Sequence, residues 1–292
     1  MSRSIVCTAY AKVNLTLEVL GRRPDGFHEV RSVLQTIDLH DTLTVEAADS
    51  LILACNRREL EGLDNLALRA ARLLQEAAGA RGGARLILQK RIPIAAGLGG
   101  GSTDAAAALC ALNRLWGLAW PVDRLAPLAE RLGSDVPFFL YGGTALAEGR
   151  GERITPLPSF PARWVVLAAP EAAEQRKTAA LYARLKSEDR TQGAATAALA
   201  RWLRAGAPGA MPPLGNAFRR RAFEAFPGLT GIWRAFLDAE AYRVYVSGTG
   251  PALFVLEADE DRARRIHGHL RAAGVAAELA RTVERIDLCG EV

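Results

Sequence analysis

Four glycines within five positions, Gly97, Gly99, Gly100 and Gly101, separate a strand-like segment from a strong helix former, and few folds accept such a junction. Upstream, residues 84–89 read as a strand. Downstream, Thr103 to Trp116 is helical by propensity, with Leu109, Leu112, Leu115 and Trp116 on one side. The whole connection runs Pro93-Ile94-Ala95-Ala96-Gly97-Leu98-Gly99-Gly100-Gly101-Ser102-Thr103. A backbone without side chains can curl its N–H groups around a polyphosphate, and the dipole of a helix beginning near Ser102 favours an anion there. On this reading a side chain at Gly100 would intrude where phosphate oxygens approach. No Gly-Lys-Ser/Thr closes the run as in a Walker loop, and the glycines do not have the Rossmann spacing.

The elements before the run form an antiparallel β unit. Val13, Leu15, Leu17 and Val19 alternate with Lys12, Asn14, Thr16 and Glu18, the period of a half-buried strand whose polar face carries Lys12 and Asn14. Pro24-Asp25-Gly26 is a turn, after which residues 28–37 and 41–46 predict two more strands. Leu66, Ala70, Leu73, Leu74 and Ala77 mark a helix that Gly79 can end. Another helix fits Asp123 to Leu132, and a further one starts at Ser134, with Asp135 at its N-terminus and Pro137 in its first turn.

Pro156, Pro158 and Pro161 cluster ahead of a strand at 164–168, so residues 156–162 are the expected linker between domains 1–158 and 163–292. A chain of 292 residues also exceeds the usual size of a single core. The second half reads as helices over 178–205, a loop at 206–213, a turn at Ser247-Gly248-Thr249-Gly250-Pro251, a strand from Leu253, a helix from Asp259 to Ala273 and a last strand at 277–282. The fold class is α+β, with a βαββαβ arrangement in the second domain.

Composition excludes several functions. The net charge of +5 comes from 37 basic residues interleaved with 32 acidic ones, which suits anionic metabolites and argues against nucleic acid as partner. Cys7, Cys55, Cys110 and Cys289 are too scattered for a zinc site or a disulfide framework. No apolar run reaches membrane-spanning length and no leader is visible, so the expected location is the cytoplasm. Only Lys12, Lys90, Lys177 and Lys186 are lysines, which makes each worth examining.

Lys12 and Asp135 suggest a phosphoryl-transfer pair. A hydroxyl attacking a phosphoryl group must lose its proton, and an aspartate at a helix N-terminus can accept it. A lysine on the polar face of a strand can orient that aspartate and offset charge on the transferring group.

Three segments together resemble the GHMP small-molecule kinases: Ala11-Lys12-Val13-Asn14-Leu15, Pro93 through Thr103, and Ser247-Gly248-Thr249-Gly250-Pro251. Within the family the likeness is densest to members acting on a cytidine diphosphate polyol. It is carried by Arg23-Pro24-Asp25-Gly26-Phe27-His28, the triple glycine, Gly133-Ser134-Asp135-Val136-Pro137-Phe138 and Gly149-Arg150-Gly151-Glu152. The resemblance implies a two-domain GHMP kinase fold, with an N-terminal domain like domain 2 of ribosomal protein S5 and a ferredoxin-like C-terminal domain. It also implies Lys12 and Asp135 as catalytic residues, and ATP with Mg²⁺ at residues 93–103. A small-molecule substrate bearing a cytidine diphosphate group would be met by Asn14, Phe27, His28, Thr178 and Tyr182. Ser102 is a candidate beside the ion and Asn65 beside the adenine or as a helix cap, but no metal ligand or oligomeric state is assigned. The family usually has Tyr at Phe27, Ser at Thr249 and Ser-Thr at Lys177-Thr178. The rival expectations are a GHMP kinase for homoserine or mevalonate, and a non-catalytic RNA-binding protein with an S5-like fold.

Overall fold

A computed structural model of the chain describes residues 4–170, 177–284 and 288. Two long strands organise the first half. β1 (Ser4–Arg22) and β2 (His28–Ala48) pair antiparallel around the 24–27 turn. The two strands expected from residues 28–46 are one continuous strand, which bends to pair with two different neighbours. Its far end, residues 42–48, pairs with β4 (Gly83–Gln89), and its near end, residues 30–35, pairs with β5 (Thr144–Gly149). β3 (Ile52–Cys55) extends the sheet beside β4, and β6 (Arg153–Pro156) extends it beside β5.

Register shifts between Tyr10 and Ala11, and again between Asn14 and Thr16, bracket Lys12 and Asn14. Such irregularities re-aim side chains and are concentrated near functional sites. The polar face expected on β1 is itself covered: Lys12, Asn14, Thr16 and Glu18 are all buried. Its covering is polar too. Glu18 accepts from the Thr196 N–H at 2.7 Å and from the Thr191 hydroxyl at 2.9 Å.

Behind the sheet lie α1 (Leu66–Ala78), α2 (Gly100–Leu115), α3 (Val122–Leu132) and α4 (Val136–Tyr141). Gly79 ends α1 in the left-handed region at φ 61°, as expected of a helix-stopping glycine. α2 is buried along almost its whole circumference, because Ala105 to Ala108 and Ala111 carry so little bulk that the sheet and the neighbouring helices close around it. The one-sided stripe expected from Leu109 to Trp116 therefore understates its burial.

In the second half, β7 (Trp164–Ala168) is followed by α5 (Lys177–Ala183), α6 (Ala194–Arg204), β8 (Gly215–Asn216), α7 (Arg219–Ala225), α8 (Leu229–Asp238), β9 (Tyr245–Val246), β10 (Leu253–Glu257), α9 (Glu260–Ala272) and β11 (Ala277–Arg281). Four of these strands form an antiparallel sheet in the order β11-β7-β10-β9, the strand order of a ferredoxin-like βαββαβ unit. The remaining strand, β8, crosses to the first sheet and pairs parallel with β1 at Thr16 and Leu17. Val13, Leu15, Ile92 and Leu98 share one core with Val165, Leu167 and Phe254, so the two sheets are packed together rather than loosely tethered. Among the described residues no helix is long and apolar enough to cross a membrane.

Candidate active site

The glycine run is held on both sides before it becomes a helix. The Lys12 N–H donates to the Leu98 carbonyl at 3.0 Å, and the Ala252 N–H donates to the Ala96 carbonyl at 2.9 Å. Ala96 and Leu98 point into the core as anchors, while Gly97 at φ 82° and Gly99 at φ 76° adopt left-handed backbone between them. Gly99 is the N-cap of α2, so the helix starts at Gly100 instead of near Ser102. Gly100 and Gly101 are its first turn, which leaves their N–H groups without intrahelical acceptors and free to meet an anion.

Gly100 is small for a different reason from the one its sequence suggests. A Cβ there would lie 3.1 Å from Ile92 Cγ2 and 3.2 Å from Lys90 Nζ, facing the packed interior. Gly97 and Gly99 are more restricted. A Cβ on Gly97 would stand 2.3 Å from the Ser247 carbonyl oxygen, and one on Gly99 would stand 2.5 Å from the Phe139 ring.

Lys12, Asp135, Gly97, Gly99 and Ser102 border a cleft of about 1040 Å³ that continues past Asn14, Phe27, His28 and Tyr182. Lys12 Nζ donates to Asn14 Oδ1 at 2.7 Å and to the Gly97 carbonyl at 3.0 Å, and it lies 3.3 Å from Asp135 Oδ2. The lysine side chain is only 3% exposed, whereas that of Asp135 is 40% exposed. The ammonium is thus a fixed part of the wall and the carboxylate is the group a solute can reach. Asp135 occupies the N-cap position of α4 but makes no capping hydrogen bond, so its orientation comes from Lys12.

The turn at 247–251 closes the site from the other half. The Ser247 hydroxyl donates to the Gly97 carbonyl at 3.0 Å and lies 3.4 Å from the Asn14 N–H. Gly248, at φ 57°, lines the cleft together with Thr249. Asn216 fixes this turn by donating to the Val246 and Gly248 carbonyls, each at 2.8 Å.

At the far end, Phe27 is 51% exposed, with the Arg150 guanidinium 4.8 Å from its ring centre. Phe27 therefore does not belong to the core. The rings of His28 and Tyr182 lie 5.1 Å apart, and Tyr182 packs edge-on against Phe218 at 4.7 Å. Burial, with the nearby Asp135 charge, pushes the Tyr182 phenol well up, so it stays a neutral hydroxyl. Burial chiefly, then Arg22 and Arg190, lowers the His28 imidazole. The side chains of Lys177 and Thr178 lie outside the described residues. Asn65 caps α1, accepting from the Ala67 N–H at 2.9 Å and donating to the Leu60 carbonyl at 2.9 Å.

Sequence reasoning missed the ionic cluster beneath the loop. Lys90 is buried and bonds both Asp41 and Asp104, the latter at 2.7 Å. Asp41 Oδ1 also accepts from the Arg91 and Ile92 N–H groups, and so shapes the entry to the loop. The signal was present in the rarity of lysine, but its two acidic partners lie 49 positions upstream and 14 downstream. Burial pushes the Asp104 carboxyl up to about 7, with Lys90 opposing and Asp41 adding to the rise. Lys90→Met should therefore destabilise the protein by about 3–5 kcal/mol, measured by denaturant unfolding, because it strands buried carboxylates.

Asp104 also makes a pH prediction. Its folded value lies above the ordinary aspartate value of 3.8, so its contribution is fully present below pH 3.8 and is lost as pH rises through about 7. Asp104→Asn should gain stability relative to the parent across that window and level off above it. A pH-independent difference between the two would contradict this.

The chain matches the family described as GHMP kinases N terminal domain over residues 65–143 and GHMP kinases C terminal over residues 195–276. It is 41% identical over 280 residues to a 4-diphosphocytidyl-2-C-methyl-D-erythritol kinase of Dehalococcoides mccartyi, covering 96% of this chain and 98% of that one. It is 44% identical over 286 residues to the protein of the same name from Pelotomaculum thermopropionicum, covering 97% and 96%. A crystal structure of 4-(cytidine 5'-diphospho)-2C-methyl-D-erythritol kinase superposes with a TM-score of 0.80 at 39% identity, over 95% of this chain and 99% of that one. Homoserine kinase from Cytophaga hutchinsonii shares the fold at a TM-score of 0.73 and 20% identity, over 97% and 95%. By extent and identity, this chain belongs to the 4-diphosphocytidyl-2-C-methyl-D-erythritol kinase family of GHMP kinases.

Proposed function

We propose that this protein uses ATP to phosphorylate the 2-hydroxyl of 4-diphosphocytidyl-2-C-methyl-D-erythritol, a step in non-mevalonate isoprenoid precursor synthesis. The observation that carries the reading is near full-length identity of 41–44% to kinases named for that compound. The cleft supports it, with a lysine–aspartate pair at one end and exposed aromatic surface at the other.

Asp135 is the group we assign to take the proton of the attacking hydroxyl, since its carboxylate is accessible and held by Lys12. Lys12, bonded to Asn14 and to the Gly97 carbonyl, ties the position of that base to the position of the phosphate loop. The bare first turn of α2 suits the ATP phosphates, and ATP supplies the transferred group. Mg²⁺ would neutralise the phosphate charge, with the Ser102 hydroxyl the side chain we place beside it.

Phe27, His28 and Tyr182 are assigned to the cytidine. Stacking on one aromatic contributes about 1–3 kcal/mol, so Phe27→Ala should raise the substrate KM by roughly 5- to 150-fold. Phe27→Tyr should change it little, because the ring face is kept. A small aliphatic alcohol such as homoserine or mevalonate would leave Phe27 without a role. Incubation with ATP, Mg²⁺ and a panel including both of these alcohols tests the assignment: the cytidine diphosphate compound should gain the phosphate, and preferential labelling of either alcohol would refute it.

A further inference from the structure

Resting on that reading, the residues assigned so far serve the two ends of a cytidine diphosphate polyol and leave its diphosphate without a partner. Lys12, Arg22, Arg150 and Arg190 are the cations that border the cleft. Lys12 is already engaged by Asn14, Gly97 and Asp135. Arg150 is engaged as well, donating to Glu130 Oε1 at 2.8 Å while stacking on Phe27. Arg22 and Arg190, in contrast, form no ion pair among the described residues, and both are exposed. Among the described residues they are the cleft cations without an acidic partner.

Two separate pieces of backbone bring them to one place. Arg22 is the cross-strand partner of His28 at the end of the β1–β2 pair. Arg190 precedes Thr191, whose N–H donates to the Val19 carbonyl at 2.9 Å and whose hydroxyl donates to Glu18 at 2.9 Å. The 190–191 segment is thereby fastened to β1 at Glu18 and Val19, a few residues before Arg22 on the same strand. Both guanidinium groups act on the His28 imidazole. The acids close in sequence are engaged elsewhere: Arg23 Nη1 lies 2.7 Å from Glu29 Oε2 and Nε 3.1 Å from Asp25 Oδ2, Asp189 pairs with Arg221 at 2.7 Å, and Glu18 accepts from Thr191 and Thr196.

We propose that Arg22 and Arg190 form the subsite for the diphosphate of the substrate, next to the aromatic end of the cleft. Guanidinium groups bind phosphate oxygens through paired, charge-assisted hydrogen bonds, and a diphosphate offers enough acceptors for both. The subsite would set the preference for a nucleoside diphosphate over a free nucleoside.

The test measures cytidine and cytidine diphosphate binding by calorimetry, with the ATP site filled by a non-hydrolysable ATP analogue. The parent should bind the diphosphate about 10-fold or more tighter than cytidine. In an Arg22→Gln, Arg190→Gln double variant that preference should vanish, cytidine affinity should stay, and the substrate KM should rise while the KM for ATP does not. A double variant that keeps the parental preference overturns the subsite. If the parent binds neither compound, it is the cytidine diphosphate reading itself that fails.

Discussion

Asp135→Asn should lower turnover by about 10²- to 10⁴-fold, the usual worth of a positioned general base, while leaving ATP affinity and melting temperature near those of the parent. Asn keeps the shape and removes only the proton acceptor. Because the side chain is 40% exposed and makes no cap, little of the fold depends on it. Lys12→Ala should behave differently, although its turnover loss should be as large. Its ammonium is buried and bonds the Gly97 carbonyl, so its removal should also weaken ATP binding. Single-turnover rates together with ATP calorimetry separate the two cases. An Asp135→Asn enzyme with parental turnover would remove Asp135 from the chemistry.

Gly97→Ala should cost about 3 kcal/mol, or roughly 100-fold in ATP affinity where the loss falls on binding, combined with a lower melting temperature. The substituent meets a backbone oxygen at 2.3 Å, which no rotamer change relieves, and φ 82° disfavours any L side chain. Relief requires the loop to move away from Ser247, which breaks the bond between Ser247 and the Gly97 carbonyl. Gly100→Ala offers the contrast, since its neighbours are an Ile92 methyl and the end of a lysine chain, at 3.1 and 3.2 Å. It should cost less. Equal ATP affinity in Gly97→Ala and the parent would mean that this carbonyl does not set the loop.

Local chemistry made much of the fold legible. Gly79 stops α1 where a left-handed residue is needed, and the strand at 164–168 has the bounds its apolar run suggests. β5 and β6 were not read, since residues 144–156 are short, glycine-bearing and given their strand character by pairing with β2. Helices α7 and α8 went unread in the same way, because their burial depends on packing against α5, α9 and the second sheet. The limits at the site have the same origin. Glycine spacing pointed to the loop, but whether a given glycine faces the ligand or the interior is fixed by what packs behind it. Gly100 faces Lys90, and Lys90 gathers Asp41 and Asp104 from elements far apart in sequence. The pairing of Lys12 with Asp135 follows chemical complementarity, while their 3.3 Å separation requires the register shifts of β1 and the placement of α4.

On the proposed reading, one cleft holds the cytidine end of the substrate while presenting its hydroxyl to Asp135. Binding energy from the cytidine would then be used to orient the reacting end, so a shortened substrate should lose rate as well as affinity. The direct measurement is ATP-dependent phosphorylation of 4-diphosphocytidyl-2-C-methyl-D-erythritol against 2-C-methyl-D-erythritol 4-phosphate at matched concentrations, with the position of the new phosphate determined. The first should be phosphorylated efficiently at its 2-hydroxyl, with a large loss in both kcat and kcat/KM for the second; equal phosphorylation of the two would refute the shared cleft.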